Sequence, residues 1–444
     1  MEEMLRNVKG TKDYLPEEQT IRTYIRRTLE EVFEQYAYKP LETPILNYYD
    51  LLASKYGGGE EILKEVYKLS DQGERELALR YDLTIPVAKV IGMNPDIRLP
   101  FKRYEIGKVF RDGPMKAGRF REFTQCDVDV VGVTSVLAEA ELLVMAVEVF
   151  QRLKLNVKIQ YNNRKVLTGI LLSFEVAEER LGDVILTLDK VEKIGIAGVK
   201  EELNDKQIEQ DTIERITQFI QADNGNTLEY IGKNFSQPLV VEGLRELMEL
   251  REYVTKAGVE SYLQFNPFLA RGLNIYTGSV YEIFLTEGRI TSSIGSGGRY
   301  DKIIGQLLGN DQSFPAVGLS FGLDVIYAAL LEKGQLSSGP LTEILIVPIG
   351  TQAESLQLAT RLRRQGLRVE IEMSGKRVKK ALDYANKEEI PFVLLLGQDE
   401  LARGEVTLRS MREGIEERVG LSEVEEKLNS LMKNFQKSTC SVMI

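Results

Sequence analysis

The chain has 444 residues, 43% of them hydrophobic and 28% charged, with a formal net charge of −10 and no histidine. Those proportions belong to a soluble globular protein too long for one ordinary core, so two or three domains are expected. The missing histidine excludes an imidazole base, a Ser-His pair and a His-ligated metal, and Cys126 and Cys440 are too few for a disulfide framework or a zinc cluster.

No run of apolar residues reaches the length of a bilayer span, and the opening MEEMLRNVKG has no signal-peptide core. A cytoplasmic protein without membrane contact is therefore expected. The negative balance argues against indiscriminate nucleic-acid binding but leaves room for a local basic surface that selects one folded RNA.

After DYLP (Asp13 to Pro16), Ile21, Tyr24, Ile25, Leu29, Val32, Phe33 and Tyr36 recur at three- and four-residue spacing, which predicts a helix with one apolar face. PLETPI, from Pro40 to Ile45, reads as a short strand at a sheet edge or interface. Gly57, Gly58 and Gly59 form a loop, because no Lys-Ser/Thr follows to complete a phosphate loop. Val66 to Leu69 and Glu76 to Pro86 (ELALRYDLTIP) read as strands. In the second, Arg80, Asp82 and Thr84 share a face; a carboxylate beside a hydroxyl suits either an ammonium group or a buried structural role.

Phe101 to Gly132 (FKRYEIGKVFRDGPMKAGRFREFTQCDVDVVG) reads as two strands around a turn marked by Gly113, Pro114 and Gly118. Alternation on a pleated strand puts Arg103, Glu105, Gly107, Val109 and Arg111 on one face of the first run. It puts Arg119, Arg121, Phe123, Gln125, Asp127 and Asp129 on one face of the second, with Cys126, Val128 and Val130 behind. Guanidiniums by the turn and carboxylates further in resemble a site for a polyanion beside a cationic small molecule. Solvated ion pairs on a surface hairpin are the alternative.

Ser135 and Glu139 open a helix that continues through Leu142, Met145, Val149 and Leu153. Residues from about Val157 to Leu263 read as a charged helical insertion without recognisable chemistry. Strand and turn character returns in NPFLARGLNIYTGSVYEIF (Asn266 to Phe284), where Arg271 stands among apolar and small residues and needs either a ligand anion or a structural carboxylate. GSGGRYD (Gly295 to Asp301) permits close backbone approach to a ligand or a tight turn. PAVGLSFGLDVI (Pro315 to Ile326) reads as a strand entering a helix.

GQLSSGP, residues 334–340, is a linker by composition. Beyond it strands at Glu343 to Ile349, Val369 to Ile371 and Pro391 to Gly397 alternate with helices at Ser355 to Gly366 and Lys376 to Asn386. That order predicts a small α/β sheet, and Ser422 with Glu425 opens a last helix. Arg361, Arg363, Arg364, Arg368, Lys376, Arg377, Lys379 and Lys380 form a basic cluster, either a solvated helix face or an RNA contact.

Taken together, VKGTKDYLP, LRYDLT, REFTQCDVD, LARGLNIYTG, GSGGRYD and the terminal α/β module resemble the histidyl-tRNA synthetases over nearly the whole chain. The resemblance implies an α+β fold: a class II antiparallel-sheet catalytic domain flanked by helices (residues 1–333), then a small α/β anticodon-binding domain (341–444), in a homodimer. It implies a ligase that activates L-histidine with ATP and Mg²⁺ and loads it onto tRNA(His), the Mg²⁺ carried by the ATP. Asp82, Thr84 and Gln125 would hold the α-ammonium, while Asp129 and Tyr276 would read the imidazole, with Leu83 and Ile275 in the same pocket. Arg111 would bridge the α-phosphate and the amino-acid carboxylate, Arg271 would sit opposite it, Arg119 would meet the outer phosphates and Phe123 would stack on adenine. Arg111 and Arg271 are the implied catalytic residues.

Three positions depart from that pattern. Asp324-Val325 stands where an acid–arginine pair is usual, Asn274 where an Asp is usual and Ile275 where a Tyr is usual. Two readings follow: an active ligase in which Arg119, Arg121 or Arg299 supplies the missing charge, or a histidine-sensing or tRNA-binding paralogue. A dinucleotide-binding oxidoreductase is disfavoured, since no G-x-G-x-x-G joins a strand to a helix.

A protein without histidine codons can be completed when charged tRNA(His) runs short. Under histidine starvation its synthesis is expected to hold up better than that of a version given surface histidines. Pulse labelling measures this, and equal losses would reject it.

Overall fold

The computed structural model describes residues 5–53, 63–114, 120–222, 227–271, 275–310, 312–334 and 341–439. Gly57, Gly58, Gly59, Gly118, Arg119, Asn274, residues 335–340 of the linker and Cys440 lie outside them. The chain divides into two compact units, residues 1–333 and 334–444.

In chain order the strands of the first unit are β1 (Lys39–Pro40), β2 (Leu46–Tyr48), β3 (Lys68–Ser70), β4 (Glu76–Leu79), β5 (Phe101–Phe110), β6 (Glu122–Val131), β7 (Val157–Asn163), β8 (Leu263–Phe265), β9 (Ser279–Leu285), β10 (Gly295–Arg299) and β11 (Ala316–Gly322). Three of them form a small antiparallel sheet, β2-β4-β3, and the other eight one large sheet ordered β1-β5-β6-β11-β10-β9-β7-β8. Its inner strands pair antiparallel, while β1 and β8 join in parallel at the edges. Pro40 sits on an edge strand, where its missing N–H costs no interior ladder bond.

One face of the large sheet is the core. Cys126, Val128 and Val130 of β6 and Phe321 of β11 are buried there, against the helices Pro16–Gln35, Leu137–Arg152 and Leu323–Lys333. The Phe321 ring packs 5.7 Å from that of Phe33 and 5.8 Å from that of Phe150. Burying each such side chain contributes about 2–3 kcal/mol. The first helix starts where the sequence asks for it: Pro16 occupies the first turn and Glu17 and Glu18 face the positive end of the helix dipole.

Several sequence expectations are corrected. Glu76 to Pro86 is not one strand: β4 stops at Leu79 and Thr84 begins the Thr84–Met93 helix. Asp82 accepts the Ile85 N–H at 3.2 Å, a local bond that competes with an extended chain. Val157–Asn163 is β7 of the main sheet, so the helical module starts at Arg164. Ser135 lies just before the Leu137–Arg152 helix, whose N-cap is Val136, and accepts the Leu137 N–H at 3.2 Å, but Glu139 is buried against Arg299, 2.7 Å away.

The second unit holds β12 (Ile344–Ile349), β13 (Val369–Ile371), β14 (Phe392–Gly397), β15 (Glu405–Ser410) and β16 (Glu416–Gly420), ordered β13-β12-β14-β15-β16. Alternate residues of β12 and β14 bury opposite faces: Ile344, Ile346 and Leu394 on one side, Leu345, Val347 and Val393 on the other. Of the basic cluster, Arg361 pairs with Glu425 at 2.7 Å and Arg368 with Glu343 at 3.1 Å. Arg364, Arg377, Lys379 and Lys380 remain exposed.

In the first unit Asp324, at the start of the last helix, is a buried junction. Its Oδ1 accepts from Arg22 at 2.5 Å and Tyr14 at 2.8 Å, and its Oδ2 accepts the Thr124 N–H at 2.7 Å. Arg22 also lies 3.8 Å from the Tyr14 ring centroid. Removing one partner strands a buried charge, so Asp324→Ala is expected to cost about 3–5 kcal/mol. Arg22→Met/Asp324→Leu, which removes both charges, is expected to recover most of that loss in urea unfolding.

Candidate active site

Strand register assembles the open face of the large sheet. Asp129 faces Arg103 on β5 and Gly318 on β11, and Gly318 faces Gly298 on β10. The next row runs Glu105, Asp127, Ser320, Ser296 and Glu282 across β5, β6, β11, β10 and β9. Gln125 falls between Gly107 and Gly322, and Phe123 opposite Val109. Period-two alternation thus puts the polar residues of five strands on one side.

A narrow cavity of about 30 Å³ opens in this face, lined by Thr84, Asp127, Asp129, Ile275, Tyr276 and Tyr300 together with Ser and Gly backbone. Two glycines make room for it. A methyl at Gly318 would lie 2.0 Å from Asp129 Oδ1, and one at Gly298 would lie 2.7 Å from the Tyr276 ring. A separate hollow of about 820 Å³, bordered by Arg164, Lys165, Asp301 and Lys302, also touches Tyr276, but it lacks the cluster of acids.

Asp129 is 3% exposed and Asp127 5%. The Tyr300 hydroxyl donates to Asp129 Oδ1 at 2.5 Å, and Arg103 Nη2 lies 2.6 Å from Asp129 Oδ2. Asp127 Oδ1 and Asp129 Oδ2 are both buried without a hydrogen-bond partner, but only the latter has an arginine nitrogen close by. Burial pushes the Asp127 carboxyl up to about 7; Arg103 opposes the rise and Asp129 adds to it. Burial likewise lifts Asp129, against the pull of Arg103 and the Tyr300 bond. The half-buried Asp82 is pushed up to about 6 by loss of water, offset by the Ile85 N–H and by Arg111. Three carboxyls held above their ordinary range invite a cation.

The remaining expected residues surround this wall. Leu83 is fully buried and contributes its carbonyl, which accepts from Arg103 at 3.0 Å. Gln125 donates to Ser320 at 3.0 Å, and its Oε1 is buried without a partner. Arg111, just past β5, donates to the Tyr81 carbonyl at 3.0 Å and lies 5.2 Å from the Phe123 ring centroid. Arg271 has a positive φ of 54° and pairs with Glu282; Asp189 of the helical module accepts the Ala270 and Arg271 N–H groups at 3.2 Å. Arg119 lies outside the described residues.

Arg299 cannot supply a charge to this site. Its guanidinium makes two 2.7 Å bonds to Glu139 and one of 2.9 Å to the Val133 carbonyl. Residues without an assigned role in the sequence reading prove central: Arg103, Asp127, Tyr300 and Ser320. Alternation signalled the first two, since both lie on the correct faces, but their depth and partners come from neighbouring strands.

The family profile "Histidyl-tRNA synthetase" matches residues 10–326, and "Anticodon binding domain" matches residues 343–431. The chain is 56% identical to "Histidine--tRNA ligase 1" of Bacillus cereus over 441 residues, covering 99% of both chains. The crystal structure of histidyl-tRNA synthetase from Nostoc sp. PCC 7120 superposes with a TM-score of 0.83 at 30% identity, covering 96% of this chain and 99% of that one. An ATP phosphoribosyltransferase regulatory subunit/histidyl-tRNA synthetase from Bacillus halodurans shares the fold, with a TM-score of 0.73 at 21% identity over 86% of this chain and 96% of that one.

Burial pushes the Asp127 carboxyl up to about 7 in the fold, against about 3.9 in an unfolded chain. The folded state therefore holds its proton longer, and this group draws stability down as pH rises from about 4 to 7. Asp127→Asn is expected to lose less melting temperature than the parent between pH 5 and pH 8. An identical loss in both proteins would mean that the carboxyl titrates normally.

Proposed function

The chain belongs to the histidyl-tRNA synthetase family, and we propose that histidine and ATP react in the hollow on the open face of its large sheet. It is a histidine–tRNA ligase, an ATP-dependent class II aminoacyl-tRNA synthetase with a separate anticodon-binding domain. One observation carries the site reading: Asp127, Asp129, Thr84 and Tyr276 line a single cavity, beside Asp82 in the field of Arg111 and Tyr276 in the field of Arg271.

In this reading Asp82, Thr84 and Gln125 offer the α-ammonium the acceptors it needs. Asp129 and Tyr276 read the imidazole, and Ile275 gives that pocket an apolar wall. The unpaired Asp127 Oδ1 is a further acceptor for the cationic substrate. In the same reading Arg111 meets both the amino-acid carboxylate and the α-phosphate, Phe123, whose ring centroid is 5.2 Å from it, stacks on adenine, and Arg119 takes the outer phosphates. Arg271 approaches from the segment between β8 and β9, already held by Glu282 of β9. Mg²⁺ accompanies the ATP phosphates and supplies further positive charge there.

The histidine carboxylate attacks the α-phosphorus, pyrophosphate leaves, and histidyl-adenylate forms. Negative charge grows on the non-bridging oxygens during attack, and fixed guanidiniums stabilise it without reorganisation. The ribose hydroxyl of the tRNA end then attacks the adenylate carbonyl and AMP departs. With no histidine in the chain, an adenylate phosphate oxygen takes the hydroxyl proton. The second unit binds the anticodon of tRNA(His), and its exposed Arg364, Arg377, Lys379 and Lys380 suit a phosphate backbone. A homodimer working in the cytoplasm completes the reading.

Histidine-dependent ATP–pyrophosphate exchange tests the site. Arg111→Ala and Arg271→Ala are each expected to lower kcat about 10²–10³-fold, a loss of about 3–4 kcal/mol of transition-state stabilisation, with tRNA affinity nearly unchanged. Wild-type exchange rates in both variants would remove the two arginines from the chemistry.

A further inference from the structure

We propose that Arg103 is a positioning residue for histidine: it ties the carboxylate that reads the imidazole to the turn that holds the α-ammonium, so both ends of the amino acid are gripped at a fixed separation. The inference rests on the site reading above.

The Arg103 side chain is 0% exposed. Its Nη2 lies 2.6 Å from Asp129 Oδ2 and donates to the Leu83 carbonyl at 3.0 Å. Leu83 stands between Asp82 and Thr84, immediately before the Thr84–Met93 helix. One nitrogen of β5 therefore links Asp129 of β6 to the turn at Leu83, three residues beyond the point where the Phe110 N–H of β5 bonds the Arg80 carbonyl at 2.9 Å. The same guanidinium leaves Nε and Nη1 buried without hydrogen-bond partners, and Nη1 is 3.9 Å from Glu105 Oε2. Unmet buried donors are costly, and a buried ion pair is a weak source of stability. Simple stabilisation is thus a poor account of this arginine, whereas fixing two halves of a pocket is a good one.

The charged surroundings agree. Asp127 and Asp129 face Arg103 from β6, Tyr300 bonds Asp129 from beyond β10, and Asp82 lies in its field from the turn. Glu105 on its own strand is already held by Arg80 at 2.7 Å. Arg103 opposes the rise that burial imposes on Asp129: without it the buried acids would retain protons at higher pH and lose acceptor capacity for a cationic substrate.

Pyrophosphate exchange on the full-length enzyme tests this. Arg103→Met is expected to raise KM for histidine at least tenfold while KM for ATP stays within twofold. The acid limb of kcat/KM for histidine is expected to move to higher pH. Arg103→Lys, whose ammonium can reach both the carboxylate and the carbonyl, is expected to restore most of the KM. Should Arg103→Met not fold, Arg103→Gln makes the same comparison with hydrogen-bonding capacity kept and charge removed. Equal rises in both KM values, or a histidine KM and pH profile like the parent's, would overturn the proposal. Asp82→Asn and Asp129→Asn separate the two levels: no rise in their histidine KM sinks the site reading itself, while a rise there without one in Arg103→Met sinks only the positioning role.

Discussion

The hollow exists because β11 presents no side chain opposite Asp129. Gly318 is in register with Asp129, and a single methyl there would stand 2.0 Å from the carboxylate oxygen. Register, not loop geometry, therefore sets the depth of the site. A one-residue slip between β6 and β11 would turn Val128 and Val130 outward and Asp127 and Asp129 into the apolar core. The core forbids that slip, since Phe321 is clasped between Phe33 and Phe150. Packing on the hidden face thus fixes chemistry on the open one.

A wall of carboxylates within a folded core needs cations behind it. The structure provides them in pairs, Arg80 with Glu105 at 2.7 Å and Arg103 with Asp129 at 2.6 Å. Asp127 has no such close partner for Oδ1, and it is the acid raised to about 7. A site left short of one positive charge is poised for a cationic ligand, which supplies the missing compensation when it binds. In the proposed reading the cost of burying Asp127 is thereby turned into affinity.

Much of this was legible in the sequence because period two is a strong signal. Alternation along Phe101 to Val131 placed Arg103, Gln125, Asp127 and Asp129 on one face, and the β5–β6 register agrees. The strand-to-helix passage at Ala316–Gly322 and the α/β order of the second unit were equally plain. The Asp82–Thr84 turn was not. A carboxylate capping a helix and a carboxylate on a strand face leave similar short patterns, and only the Ile85 N–H bond distinguishes them. β7 was hidden for another reason: Val157–Asn163 is flanked by helices and pairs with β9, more than a hundred residues away. The partners of Arg299 and Arg103 also lie on distant segments, so no local spacing could have named them.

The valine at 325 is intelligible once the two residues of the Asp324-Val325 pair are separated. Asp324 keeps a structural task, because Arg22, Tyr14 and the Thr124 N–H occupy its oxygens. That junction holds β6 one residue from Phe123 and does not need an arginine beside it. The phosphate-binding charge, in the proposed reading, must then come from elsewhere. Arg299 is sealed against Glu139, which leaves the turn end of the β5–β6 hairpin. There the Arg111 N–H bonds the Arg121 carbonyl at 2.8 Å, and the Arg121 N–H bonds the Gly10 carbonyl at 2.8 Å. Arg121 stays partly exposed, its guanidinium 3.0 Å from Asp112, an exposed pair weak enough to yield to a polyphosphate. In the proposed reading two arginines fixed by backbone bonds at the turn end of the hairpin carry the charge that Val325 does not provide.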